Sequence, residues 1–111
     1  MVIIDIKSNM PLVEEAMSEL TQMLSFYTGK QKVVKILHGY GSTGVGGSIK
    51  KATHRILSQW KSLKRIKAFI PGEGFDLNSG YQEVIHTYKD LIRNDSDYGH
   101  SNDGITYVIL K

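Results

Sequence analysis

The chain lacks cysteine altogether and contains only two prolines in 111 residues. Without cysteine there can be no disulfide, zinc–thiolate site, iron–sulfur cluster or cysteine nucleophile, and the absence fits a reducing compartment. No apolar run approaches the roughly 18 residues of a membrane span, and the opening residues MVIIDIKS do not have the pattern of a signal peptide. We therefore expect one cytoplasmic domain, residues 1–111, that does not enter a membrane.

Acidic residues are also missing from the middle of the chain. Residues 30–67 contain no Asp or Glu, and all 11 acidic residues lie outside this segment. Its ten basic residues are Lys30, Lys32, Lys35, Lys50, Lys51, Arg55, Lys61, Lys64, Arg65 and Lys67. Such asymmetry predicts one electropositive face and a polyanionic partner. The competing interpretation is a solvated helix face whose acidic neighbours arrive through the fold.

Hydrophobic patterning predicts a mixed α/β fold. Apolar runs and i, i+4 spacings indicate strands at 2–6, 32–37, 65–70 and 105–110, and helices at 11–27, 48–63 and 81–92. The order strand–helix–strand–helix–strand favours right-handed crossovers and a parallel core sheet. Asn78 or Ser79 suits the N-terminus of the third helix, and the polar residues 94–104 predict a mobile loop.

A cluster of glycines follows the second predicted strand. Within nine residues these are Gly39, Gly41, Gly44, Gly46 and Gly47. The spacing satisfies the dinucleotide pattern G-x-G-x-x-G, but the chain is too short for both halves of that fold and has no acidic residue about 20 positions later. Gly47 stands where a P-loop requires lysine, so no nucleotide cofactor is expected. Glycine N–H groups before a helix can still cradle a phosphate.

Polar side chains occur at the carboxyl ends of the first two predicted strands. Asp5 and Lys7 lie near the end of the first strand, and His38 ends the second. Because these ends share one edge in a parallel pair, we expect the three side chains and the glycine loop to converge on one cleft. His38 is either a hydrogen-bonded structural residue or an acid–base group, and Asp5 is either its buried partner or a site residue.

Two further patterns predict no site. His54 and His86 lie on predicted helices without a second ligand at i+4, and we interpret them as surface or core-edge residues. Asp95, Asp97, His100 and Asp103 are spaced loosely like a calcium loop, but the closing glutamate is absent. The sequence therefore favours a solvated acidic loop here.

The glycine loop and its flanks resemble a known family. Residues 38–50, HGYGSTGVGGSIK, resemble the HGxG loop of Smr (small MutS-related) domains with its preceding strand and following basic helix. The opening strand with Asp5, the helix residues VEEA at 13–16 and the ending GITYVIL at 104–110 are similar to the family's first elements and last strand. The resemblance covers nearly the whole chain, except about residues 73–102.

This resemblance implies both a fold and a function. The fold is a β-α-β-α-β-β two-layer sandwich, similar to the C-terminal domain of translation initiation factor three, here with an extra helix inserted before the last strand. Family members bind DNA or RNA, and several are nicking or RNA-cleaving endonucleases. Carried over by position, the resemblance assigns loop roles to His38, Gly39 and Gly41, and the acidic position of the D-x-H motif to Asp5.

One motif departs from the family. Lys7 stands where the family has histidine, and Ser8 stands where it has glycine. Lysine keeps a positive charge for a phosphate, but it is protonated at neutral pH and cannot act there as a general base. One catalytic group of the cleaving members is therefore missing.

Together these observations favour a nucleic-acid-binding domain that contacts phosphates rather than reading sequence. The residues expected at this interface are Lys7, Gly39, Tyr40, Gly41, Ser42, Gly44, Gly46, Lys50, Lys51 and Arg55, with Lys64 at the rim. One alternative is an active endonuclease that uses His38 and Asp5, with Mg²⁺ as its metal. The other is a protein-interaction module of a ribosome or repair complex. No further cofactor is expected.

Overall fold

The computed structural model of the chain describes residues 1–8, 12–40 and 45–111, without the side chains of Val45 and Gly46. Strands and helices alternate along the chain, as the sequence patterning predicts. In chain order they are β1 (Val2–Asp5), α1 (Val13–Tyr27), β2 (Val33–Leu37), α2 (Val45–Ser62), β3 (Ile66–Pro71), a short 3₁₀ helix (Gly72–Phe75), α3 (Gln82–Ile92) and β4 (Ile105–Leu110).

The four strands form one mixed sheet in the order β1-β2-β4-β3. Strands β1 and β2 are parallel, as predicted, whereas β4 lies antiparallel between β2 and β3. The predicted all-parallel core is therefore wrong in one respect, because the last strand separates β2 from β3. Every residue of β4 is buried, and such a strand needs neighbours on both sides. Ile3 on the edge strand β1 remains 52% exposed.

Helices α1 and α2 cover one face of this sheet. The stripe of Ala16, Leu20 and Leu24 on α1 packs in the same cluster as Ile4 and Ile36 of the sheet. The i, i+4 spacing of this stripe places all three side chains on one side of the helix. The predicted α/β sandwich, with an extra helix inserted before the last strand, is thus confirmed.

The end of α2 differs from its predicted apolar stripe. Trp60 packs in the core, but Leu63 is 68% exposed. Helix α2 ends at Ser62, and Lys64 has a left-handed φ of +59°. The chain therefore leaves the helix at Leu63, whose side chain does not reach the sheet.

Helix α3 lies on the opposite face of the sheet. Val84, Ile85 and Ile92 pack with Ile70 and Tyr107, which point away from α1 and α2. The inserted segment thus adds a partial third layer to the sandwich. Tyr88 has non-helical angles (φ −110°, ψ 16°) that kink α3.

The start of α3 is built differently from the prediction. Tyr81 occupies the position before the helix and makes no side-chain cap. The Ser79 hydroxyl instead accepts a hydrogen bond from the Tyr81 N–H and donates one to the Gly74 carbonyl. Ser79 therefore ties the helix entry to the 3₁₀ helix rather than capping α3 directly.

A buried ion-pair network holds the loop that follows α3. Lys35, in the middle of β2, places its Nζ 3.0 Å from Asp95 and 2.7 Å from Asp97. The Tyr107 hydroxyl donates to the same Asp95 carboxylate at 2.6 Å. The Lys35 side chain is only 5% exposed, and a buried ammonium requires such partners. The predicted mobile, solvated acidic loop is therefore wrong, because its carboxylates compensate a buried lysine.

The same network reaches the 3₁₀ helix through Asn102. The Asn102 amide donates to Asp97 at 3.0 Å. The backbone of Gly72 lies so close to this residue that an added Cβ would be 1.6 Å from the Asn102 carbonyl oxygen. No larger residue fits at Gly72, so the loop and the 3₁₀ helix are packed backbone against backbone.

We predict that Lys35→Met destabilises the protein by about 3 kcal/mol or more, because it leaves two carboxylates beside an apolar core without their cation. Urea unfolding at pH 7 measures this change, and the exposed Lys32→Met is the matched control, expected within about 0.5 kcal/mol of the parent. Equal stability of the two variants would contradict the role assigned to the network.

Candidate nucleic-acid interface

The ends of β1 and β2 lie side by side and bring Lys7 to the glycine loop. Asp5 is the register partner of Leu37, so the residues after each strand are neighbours. Gly39 has a φ of +84°, and a Cβ added there would be 3.6 Å from Cδ of Lys7. Glycine suits the left-handed backbone here, and the Lys7 side chain lies in ordinary van der Waals contact beside it. Lys7, Gly39 and His38 therefore lie at one edge of the sheet.

Asp5 closes its own turn. Its carboxylate accepts hydrogen bonds from the backbone N–H groups of Lys7 and Ser8 and from the Ser8 hydroxyl. Partial burial raises the pKa of Asp5, but these hydrogen bonds and the Lys7 charge outweigh that effect and lower it. Asp5 is thus an exposed, ionised group that shapes the turn carrying Lys7.

His38 lies in the interior, with both ring nitrogens engaged. Nδ1 is 2.9 Å from the Gly39 carbonyl oxygen and Nε2 is 2.8 Å from the Thr106 hydroxyl. A carbonyl only accepts, so Nδ1 carries the proton, and Nε2 of the neutral ring accepts from Thr106. His54 Nε2, 3.1 Å from the same hydroxyl, must then donate to it. The result is a directed chain from His54 through Thr106 to His38.

Both imidazoles of this chain are kept neutral. Burial lowers the pKa of His38 from 6.5 to about 4; its Gly39 hydrogen bond opposes this, while His54 and Lys50 reinforce it. Burial likewise lowers the pKa of His54. The rings lie edge to face with centroids 5.5 Å apart, which would be costly for two cations. At neutral pH the cluster therefore carries no charge on either ring.

Lys50 is committed to an internal ion pair. Its Nζ lies 2.5 Å from Glu73 of the 3₁₀ helix, and its side chain is only 17% exposed. Among the described residues, the other carboxylate oxygen of Glu73 is buried without a hydrogen-bond partner. The sequence placed Lys50 among the phosphate contacts, whereas the structure pairs it with an acidic residue from the inserted segment.

Other predicted contacts remain on the surface. Lys51 and Arg55 are exposed one turn apart on α2, and Tyr40 is 63% exposed. The edge of the Tyr40 ring lies 3.3 Å from a Cβ built on Gly104, so the ring rests on the start of β4. Gly46 falls in the first turn of α2. Gly41, Ser42 and Gly44 lie outside the described residues.

The basic segment divides into two internal and eight exposed residues. Within the part of the chain that the structure describes, Lys35 and Lys50 are the members of this segment that form ion pairs. Arg65 stacks over Trp60 at 3.8 Å from the ring centroid. The exposed members are Lys30, Lys32, Lys51, Arg55, Lys61, Lys64, Arg65 and Lys67. Lys30 and Lys32 lie with Met1 at the start of β2, and Arg65 lies beside Lys111, so these three are at the end of the sheet away from the glycine loop. The predicted positive surface beside the loop is therefore smaller than the sequence count.

Sequence reasoning missed Thr106, Glu73 and the role of His54. A polar residue within the otherwise apolar strand ITYVIL was an available signal for Thr106, because buried hydroxyls are hydrogen-bonded. Nothing in the sequence pairs Glu73 with Lys50. Within the described residues, no group of three His, Cys, Asp or Glu side chains could hold a metal ion. No helix there is long and apolar enough to cross a membrane.

Comparisons with protein families, with curated proteins and with solved structures found no match to this chain. The function is therefore argued from the residues and geometry of the site itself. Two features define that site: a cationic face on α2 beside the glycine loop, and a neutral histidine chain beneath it.

We predict that stability falls as the pH drops from 6.5 to about 4. The unfolded His38 takes up its proton near 6.5 and the folded one near 4, so the unfolding free energy decreases across this window by on the order of 3 kcal/mol. Denaturant unfolding at pH 7.0 and pH 4.5 measures the decrease. His54 adds a change of the same sign, because burial also lowers its pKa.

The control is His38→Gln, which keeps polar atoms for Thr106 but does not titrate. Its stability should change less between the two pH values than that of the parent. The lowered pKa values of Asp95 and Asp97 add a loss of the same sign as the pH falls, but this contribution is common to parent and variant and cancels in the comparison. An identical decrease in parent and variant would refute the assignment to His38.

Proposed function

We propose that this chain is an Smr-like nucleic-acid-binding domain that contacts the phosphate backbone through its glycine loop and the exposed face of α2. The observation that supports it most is the pair Lys51 and Arg55, which are exposed one turn apart on α2 just beyond the loop. Uncompensated cations concentrated in one segment suit a polyanion. A cytoplasmic location, favoured by the composition, belongs to the same proposal.

The contacts follow from general physics. Glycine N–H groups near the start of α2 approach an anion closely, and the helix dipole favours negative charge there. Lys7 adds an exposed cation beside Gly39, and Lys51 and Arg55 are exposed along the helix. Such contacts position a nucleic acid without reading its bases, so we expect weak sequence preference.

The arrangement of His38 and Asp5 favours binding over cleavage. Both ring nitrogens of His38 have internal partners, and the Asp5 carboxylate serves its own turn. A general base must reach the proton that it removes, whereas this histidine is fully buried. Lys7 cannot replace the missing base at neutral pH. We therefore propose binding as the function of this chain and keep the cleavage performed by some family members as the alternative.

We predict that Lys51→Ala combined with Arg55→Ala weakens binding and flattens its salt dependence. Loss of two phosphate contacts should reduce the steepness of the plot of log K against log salt by about 1.5 to 2 units of slope. Fluorescence anisotropy with labelled RNA and duplex DNA between 50 and 200 mM salt (roughly the range in which such slopes are resolved) measures it.

The matched control removes two exposed basic residues from α3, on the other face of the sheet, as Lys89→Ala with Arg93→Ala. This variant has the same net charge as the first but should keep the parent slope. If both double variants lose the same slope, the effect is one of net charge and the placement on α2 is wrong. If the parent binds neither nucleic acid, the protein-interaction alternative takes precedence.

Cleavage is tested separately. We expect the parent to leave labelled single-stranded RNA, duplex DNA and branched DNA intact with Mg²⁺ or EDTA. Cleavage that requires Mg²⁺ and disappears in both His38→Ala and Asp5→Asn would replace the binding proposal with the endonuclease alternative. Cleavage that persists in both variants would point to a contaminating nuclease.

A further inference from the structure

A groove of about 410 Å³ opens between α2, β3 and the inserted helix α3. Three aromatic residues line it: Phe69 from β3, Tyr81 just before α3, and Tyr88 within α3. All three are half-buried. Lys61 from α2 and Glu83 from α3 also line the groove. The groove thus combines aromatic walls with a cation and a carboxylate.

The groove borders the histidine chain along α2. Lys50, His54 and Lys61 share one stripe of α2, because their spacing of four and seven residues matches the helical repeat. Lys50 contacts Glu73, and His54 lies beside Phe69, with ring centroids 6.0 Å apart. One side of α2 therefore runs from the histidine chain directly into the groove.

Tyr81 is held firmly in this position. A Cβ added to Gly74 would lie 3.1 Å from Cγ of Tyr81, so the ring packs against the backbone of the 3₁₀ helix. The Ser79 hydrogen bonds fix the same turn. Tyr88 lies at the kink of α3. Two of the three aromatic walls are thus set by the inserted segment, and Phe69 of β3 supplies the third.

We propose that this groove binds an unpaired nucleobase, so that the domain prefers single-stranded to duplex nucleic acid. Aromatic rings bind bases of any sequence by stacking, and a neighbouring lysine neutralises the attached phosphate. Lys61 supplies that cation. Glu83 can accept a hydrogen bond from an exocyclic amino group. The proposal rests on the proposed function and specifies the form of nucleic acid.

An extended peptide added to the free edge of β3 fits the groove less well. The register of β3 against β4 shifts between Ile66 and Ala68, and Lys67, between them, is exposed. Bulges and edge lysines discourage strand addition. The positive charge of this edge also favours a phosphate-bearing ligand.

The first test uses adenosine monophosphate alone and does not depend on backbone binding elsewhere. In aromatic ¹H–¹³C NMR spectra of the parent, the signals of Phe69, Tyr81 and Tyr88 should shift on titration, while those of Phe26 on α1 should not. Unchanged groove signals at millimolar nucleotide would overturn the proposal. So would equal shifts of Phe26, which would indicate unspecific stacking.

The second test compares a labelled oligonucleotide, single-stranded or annealed to its complement. Tyr88→Leu should weaken single-strand binding by about tenfold and leave duplex binding within about twofold. Phe26→Leu, which removes an exposed ring from α1, should change neither affinity. Lys61→Ala provides a surface variant that does not disturb packing and should also affect the single strand more.

The outcomes separate this proposal from the general function. If the parent binds and Tyr88→Leu and Lys61→Ala leave single-strand binding unchanged, the groove proposal fails and the α2 interface stands. If the parent binds no nucleic acid while the groove signals still respond to the monophosphate, the groove is a base site and the backbone interface fails. A shift of the groove signals by an extended peptide and not by nucleotide would favour the strand-addition alternative and overturn ours.

Discussion

The buried ammonium group of Lys35 is the constraint on which the rest of the structure depends. A lysine on the inner face of a central strand is tolerated only with partners that compensate the lost hydration. Asp95 and Asp97 supply that charge, and burial, which alone would lower the pKa of Lys35, is outweighed by their hydrogen bonds, so that the pKa is raised. To reach Lys35, the loop after α3 must fold back across the sheet. The acidic loop is therefore part of the core.

The consequences of this ion pair extend to the other side of the molecule. Asp97 holds Asn102, Asn102 packs against Gly72, and Gly72 precedes Glu73, which contacts Lys50 on α2. A buried charge on one face of the sheet thereby positions a carboxylate beside the histidine chain on the other. The 3₁₀ helix that contains Glu73 also packs through Gly74 against Tyr81, one of the aromatic residues of the groove. The inserted segment is tied to the frame at both faces, which makes it part of the binding surface we propose.

Much of the framework was predictable because it depends on local periodicity. The stripe of Ala16, Leu20 and Leu24 and the alternation of the strands are visible in the sequence, and the element bounds agree within a few residues. The place of β4 was not predictable from order alone, since strands that follow one another in the chain need not pair. The partners of Lys35, 60 and 62 residues away, are equally invisible to local patterns.

For the candidate site, the sequence by itself determined the residue types: a glycine-rich turn after a strand, a basic helix and an excess of cations in the middle of the chain. Only the tertiary structure decided which cations stay on the surface. Lys35 and Lys50 look like Lys51 in the sequence, but two acidic segments reach them and leave Lys51 and Arg55 in solvent. The physical reason is that a charged side chain is available to a partner only if it is exposed to solvent and has no internal ion pair. Segments that are distant in the sequence decide both properties. A count of charges along a chain contains neither.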